Sequence, residues 1–156
     1  MQFANSAAGQ KVVEASGFVA LTIRQKQSAA PAGMPSAYEA LVGKALRLSV
    51  NFRFRTGSLE LDNRGLADLD RVTEFLSSSS VQADRLMLVG CADSRGDDAT
   101  NLKLSEGRAR TIAAARSQRG VKAGTVRGFG EAIPVADNNT PNGQEKNRRV
   151  EVWIAR

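Results

Sequence analysis

From Leu48 to the C-terminus, two apolar periods alternate along the chain, and this alternation limits the fold more than any other feature. Val50, Phe52 and Phe54 point one way while Asn51, Arg53 and Arg55 point the other, the period-two pattern of a half-buried strand. Leu66, Leu69, Val72, Thr73 and Leu76 then fall on one stripe of a helix that Asp62 can cap and that runs to about Leu76. The serine run 77–80 ends it. Residues 85–90 form a continuous apolar strand, as in the middle of a sheet. A second helix spans about 99–118, with Gly120 just past its end. Residues 125–129 read as a third strand. After a loop over 130–147, Val150, Val152 and Ile154 alternate with Glu151 and Trp153 in a last one. The order βαβαββ predicts an α/β sandwich, an α+β fold whose mixed sheet carries its helices on one face.

Residues 1–26 read as a separate short unit. A helix over 6–15 stops at Ser16-Gly17, and a strand over 18–23 follows. Two such elements bury little surface alone, so this unit is expected to be the remnant or tail of an upstream domain. Residues 27–45, with Pro31, Gly33 and Pro35, are expected to be a linker, with a short helix from about Tyr38 leading into the 46–156 domain. No apolar run approaches the ~20 residues that span a bilayer, so no transmembrane segment is expected. The opening residues lack the basic and apolar regions of a signal peptide, which fits a cytoplasmic chain or a piece of a longer exported one.

Composition removes several chemistries. The chain has no histidine, and Cys91 is its only cysteine. Histidine-based triads, most zinc sites and an intramolecular disulfide are therefore excluded. No cofactor or metal is expected. A net charge of +6 favours anionic partners, and a basic nucleic-acid-binding module is the alternative reading of the chain. The basic residues are dispersed, however, and aromatics at 5% are too few for a base-stacking platform, so no nucleic acid is expected. Asp93, Glu131 and Asp137 could supply carboxylates to an enzyme, but nothing pairs two of them as acid and base.

The second helix carries an anomaly. Glu106, Arg110 and Lys103 mark its solvated face, and Arg108 lies nearly opposite, between Leu104 and Ile112. A guanidinium among apolar neighbours needs a partner, and Asp93 in the preceding loop is the nearest in sequence. Two readings stand. The pair forms a structural ion pair, or it lines a pocket for a ligand bearing both an ammonium and a carboxylate. Asn101 and Ser105 share the face and add neutral hydrogen bonds to the ligand, or else serve as caps and solvated polar contacts. Arg148 and Arg149 precede the last strand, as solvated edge residues or with one of them facing the ligand; Arg149 is taken as that one.

These same residues carry a family resemblance. Asn51-Phe52-Arg53-Phe54 with Gly57-Ser58-Leu59-Glu60-Leu61 resembles an opening strand and turn. Gly90-x-x-Asp93-x-x-Gly96 with Asn101-x-x-Leu104-Ser105-x-x-Arg108-Ala109 resembles a signature. Residues 127–138 and Asn147-Arg148-Arg149-Val150-Glu151 complete the match. Residues from about 46 to 156 thus resemble the OmpA C-terminal domain, the peptidoglycan-associating module of Gram-negative envelope proteins. The resemblance implies non-catalytic, non-covalent binding of peptidoglycan through the meso-diaminopimelate of its stem peptide. It also implies a place in the periplasm or at the outer membrane. By resemblance, Asp93 takes the distal amine and Arg108 the carboxylate, and their separation of fifteen (108 − 93) matches the family. The chain departs from it at four positions: Cys91 and Ala92 precede Asp93 without a hydroxyl, Thr100 stands where Tyr is common, and Gly107 interrupts the helix at a cost of ~1 kcal/mol relative to Ala. Residues 3–19 resemble the tail of phosphate-type periplasmic substrate-binding proteins.

Overall fold

The computed structural model describes residues 23–156, so the expected helix over 6–15 and nearly all of the strand over 18–23 lie outside the described residues. The elements run β1 (Gln25–Gln27), α1 (Ser36–Val42), β2 (Leu46–Arg53), α2 (Asn63–Ser78), β3 (Leu86–Gly90), α3 (Asp98–Ser117), β4 (Thr125–Gly128), α4 (Pro141–Asn147) and β5 (Arg149–Ile154). The five strands form one mixed sheet in the order β1-β2-β5-β3-β4. β5 lies antiparallel between β2 and β3, with Phe52 opposite Val150 and Leu88 opposite Val152. β3 and β4 are parallel, with α3 as the crossover between them.

The caps follow local chemistry. The Asp62 carboxylate accepts from Gly65 N at 2.8 Å to start α2, and Asp97 accepts from Thr100 N at 2.9 Å to start α3. Thr140 accepts from Gly143 N to start α4, with Pro141 in its first turn. This seven-residue helix lies inside the stretch expected to be a loop, and its polar sequence offers no apolar stripe to betray it.

Every residue of β3 and β5 is buried, because the sheet is covered on both faces. On one face Leu48, Phe52, Leu88, Val150 and Val152 pack with Leu69, Val72 and Leu76 of α2 and with Ala109 and Ile112 of α3. On the other, Met87, Val89 and Trp153 pack with Tyr38 and Val42 of α1. The two long helices share a face as expected. The short α1, inside the expected linker, adds cover to the opposite one.

Two glycines set the approach of α3. A Cβ at Gly90 would collide with the Ser105 carbonyl, so only glycine lets β3 run this close to the helix. A Cβ at Gly107 would sit 3.0 Å from a methyl of Leu59. The helix-weakening glycine thus gives room for the 55–61 turn to pack on α3.

Arg116, at the far end of the inner face of α3, is fully buried, and none of its side-chain nitrogens has a hydrogen-bond partner among the described residues. Burial lowers its pKa to about 10. An unpaired buried charge opposes folding. Arg116→Met is therefore expected to stabilise the domain by about 1–3 kcal/mol, read as a higher midpoint in urea with an unchanged slope. A lower midpoint would mean that the guanidinium is needed there.

Candidate functional site

Asp93 and Arg108 meet where the C-terminal end of β3, the start of α3, the turn after β2 and the residue before β5 converge. Both are buried, Asp93 at 4% exposure and Arg108 at 0%. Arg108 lies on the inner face of α3, as its helical phase requires. Its guanidinium is held by main-chain carbonyls: Nε donates to Ser58 O at 3.1 Å, Nη2 to Arg55 O at 2.9 Å and Nη1 to Cys91 O at 3.4 Å. It also stacks over the Phe54 ring, 5.3 Å from the centroid. Among the described residues no carboxylate bonds to it. Burial and the nearby Arg148 charge lower its pKa to about 10, and the Asp93 charge only partly offsets them. It stays cationic at neutral pH.

The partner of Asp93 is Arg148. Arg148 Nη1 donates to Asp93 Oδ2 at 2.7 Å, and its Nε donates to Phe54 O at 3.2 Å. The other Asp93 oxygen accepts from Arg95 N at 3.1 Å, which fixes the loop. The direct Asp93–Arg108 ion pair, one of the two readings of the sequence, is not formed; Asp93 instead lies between two guanidinium-bearing residues. Asn147 supports this corner. Its side chain bonds the Val135 and Ala136 amides, the Ala136 carbonyl and Asn138, and Asn138 in turn accepts from Ser94 N at 3.3 Å.

Asn101 and Ser105 share the buried face with Arg108 but have internal partners. Asn101 Nδ2 donates to Glu131 Oε2 at 2.6 Å, and Ser105 Oγ accepts from Gly130 N at 2.9 Å and donates to Leu102 O. Together they tie the turn after β4 to α3. Arg149 lies elsewhere. On the α1 face its Nε and Nη2 bond Glu151 Oε1 at 2.9 and 2.7 Å, and Nη2 also reaches Ile133 O. The structure brings Arg148, not Arg149, to the Asp93 corner. Strand phase carries the signal: Arg148 falls in step with Val150, Val152 and Ile154, which face α2 and α3.

A model of the OmpA family matches residues 53–148, which span every element of this corner. The chain belongs to the OmpA family. It is 34% identical over 116 residues to outer membrane porin F of Pseudomonas aeruginosa, covering 72% of this chain and 33% of that protein. It is 40% identical over 73 residues to the peptidoglycan-binding protein ArfA of Mycobacterium bovis, covering 45% of this chain and 22% of ArfA. The peptidoglycan-associated lipoprotein of Burkholderia pseudomallei superposes with a TM-score of 0.58 at 25% identity, over 66% of this chain and 88% of that one. The chain spans less than half the length of both curated relatives.

Within this OmpA-family domain the departures from the family pattern have local roles. Thr100 donates to the Asp97 cap through its amide and, at 2.7 Å, its hydroxyl. Cys91 is buried, and burial pushes its thiol up to about 12, so it packs as a small apolar residue rather than reacting. Among the described residues no cluster of acids and thiols could hold a metal, and no helix is long and apolar enough to cross a membrane.

Proposed function

We propose that this domain binds peptidoglycan non-covalently and without catalysis, anchoring an envelope protein to the cell wall at the periplasm or outer membrane. The ligand group is the distal end of meso-diaminopimelate, with its ammonium on Asp93 and its carboxylate on Arg108. The observation that carries this reading is the state of Arg108: a buried guanidinium, fixed by carbonyls, with no carboxylate among the described residues bonded to it, one loop away from a buried Asp. Arg108 has five N–H donors and only part of that set is used, so a carboxylate can be received without breaking the carbonyl bonds. The ligand ammonium competes with Arg148 for Asp93, which makes Arg148 a movable cover of the site. That exchange of one ion pair for another keeps affinity modest. The names of the relatives, among them a peptidoglycan-binding protein and a peptidoglycan-associated lipoprotein, support the same polymer.

Co-sedimentation with purified sacculi tests the reading. The protein should pellet with diaminopimelate-type sacculi and stay in solution with lysine-type ones, because lysine lacks the distal carboxylate for Arg108. Equal pelleting with both would remove diaminopimelate as the determinant. Pelleting with neither would remove peptidoglycan.

A further inference from the structure

Arg149, Glu151 and Trp153 all line one cavity of about 60 Å³ on the α1 face, together with Tyr38 and Ile133. Arg148, Val150 and Val152 do not, so the cavity meets the side chains on this one face of β5. We infer that this cavity is a binding site for a small carboxylate, received by the Arg149 guanidinium. The site lies on the opposite face of the sheet from Arg108 and does not depend on the diaminopimelate reading.

Two bonds place the guanidinium at the cavity wall. Nη2 donates to Ile133 O at 3.0 Å and to Glu151 Oε1 at 2.7 Å, and both acceptor residues line the cavity. Nε donates to Glu151 as well. Nη1 is left over: it is buried and has no hydrogen-bond partner among the described residues. Arg149 as a whole is 1% exposed. Its state differs from that of Arg116, whose side-chain nitrogens bond nothing among the described residues: Arg149 is held in place with one nitrogen unspent. Charge points the same way. Arg47 Nη2 lies 3.2 Å from Glu151 Oε1, so two guanidiniums share one carboxylate and leave a positive charge. Glu151 has nothing more to offer, since its two oxygens already accept from Arg149, Tyr38 and Trp153. A water can meet Nη1 but cannot neutralise that charge, whereas a carboxylate does both. Size limits the ligand. A water takes ~30 Å³ of liquid, so the cavity holds about two waters' worth, the bulk of a carboxylate with a short tail. Ala29, Pro31, Pro134 and Val135 are exposed lining residues and form an apolar rim, through which a chain bearing the carboxylate can leave.

The test follows the indole N–H resonance of Trp153, the single tryptophan, as the full chain is titrated with sodium acetate at constant ionic strength. Acetate should shift it saturably, with a dissociation constant on the order of 1 mM. Acetamide has the same shape without the charge and should bind about ten-fold more weakly. Pivalate, too bulky for the cavity, should give no shift. Arg149→Met removes Nη1 and the excess charge, while Arg47, Tyr38 and Trp153 still hold Glu151, so it should lose the acetate response. N-acetylglycine, a model of a peptide C-terminus, separates the sources. Tighter binding than acetate names a chain-end carboxylate and weaker binding a free small acid, and either order supports the site. A shift with acetate that does not saturate, or an equal one with acetamide, means that water alone meets Nη1 and overturns the site. An equal shift with pivalate places binding outside the cavity and overturns it too. An acetate response retained in Arg149→Met overturns Arg149 as the receiver. If that variant does not fold, the acetate, acetamide and pivalate arms on wild type still decide.

Discussion

Asp93→Asn should leave the protein folded and in the supernatant when diaminopimelate-type sacculi are pelleted. Asparagine keeps the shape of the carboxylate and an oxygen that accepts from Arg95 N, so the loop geometry survives. What it removes is the charge that now holds Arg148 at 2.7 Å and that would receive the ligand ammonium. Truncating one partner of a buried, hydrogen-bonded charge pair costs about 2–5 kcal/mol. Affinity should therefore fall on the order of 30-fold or more. Arg108→Met should lose binding just as fully by the other route, because the ligand carboxylate then enters a buried corner with no cation. Arg148→Ala separates the two effects. It uncovers Asp93 without touching either ligand contact, so it should bind at least as well as wild type. Sacculus binding retained in Asp93→Asn at the wild-type level, with the fold intact by circular dichroism, would reject Asp93 as the ammonium site.

The sequence made Arg108 legible because a helix has a fixed period. A charge between Leu104 and Ile112 must face inward, and it does. The cap at Asp62, the α2 stripe and the period-two strand over 50–54 were legible for the same reason: each is a local rule written within one turn or one strand. Arg148 was legible in principle, since Arg148 and Arg149 must point to opposite faces, but choosing between them required knowing which face of the sheet bears the site. That choice depends on α3, which is distant in sequence. Glu151 carries no signal of its own for a related reason. Arg149, Glu151 and Trp153 alternate with the apolar residues of β5, and with helices expected on one face of the sheet only, nothing in the strand marks them for burial. They are buried because α1 covers them. α1 is only seven residues long and contributes Tyr38 and Val42, too few contacts to write a stripe into the sequence. The fate of Arg149 thus depended on an element whose own signal was a short run after two prolines.

Glu151→Ala should be the most destabilising single change on the α1 face, lowering the unfolding free energy by about 3–5 kcal/mol. Its carboxylate is buried and saturated. Oε1 accepts from Arg149 Nε and Nη2 and lies 3.2 Å from Arg47 Nη2, while Oε2 accepts from Tyr38 Oη at 2.9 Å and Trp153 Nε1 at 2.8 Å. Removing it strands a buried guanidinium and two buried donors, and it cuts the bond that ties α1 to the sheet. Burial alone would raise the Glu151 pKa, but Arg149, Arg47 and the hydrogen bonds from Trp153 and Arg149 outweigh it, and the net shift is below the ordinary 4.5. A carboxyl with a lowered folded-state pKa contributes stability that is fully present above its unfolded value and is lost as pH falls through the folded one. Wild type should therefore lose stability below about pH 4.5, and Glu151→Ala should show a flatter acid limb. Trp153 is the chain's single tryptophan, so its emission reports this face directly in urea titrations. Arg149→Met placed on top of Glu151→Ala should recover part of the loss, because the stranded charge is the main penalty and the methionine removes it. Additive losses in the double variant would show that Arg149 is stabilised by something other than Glu151, and the network would not be what holds α1 down.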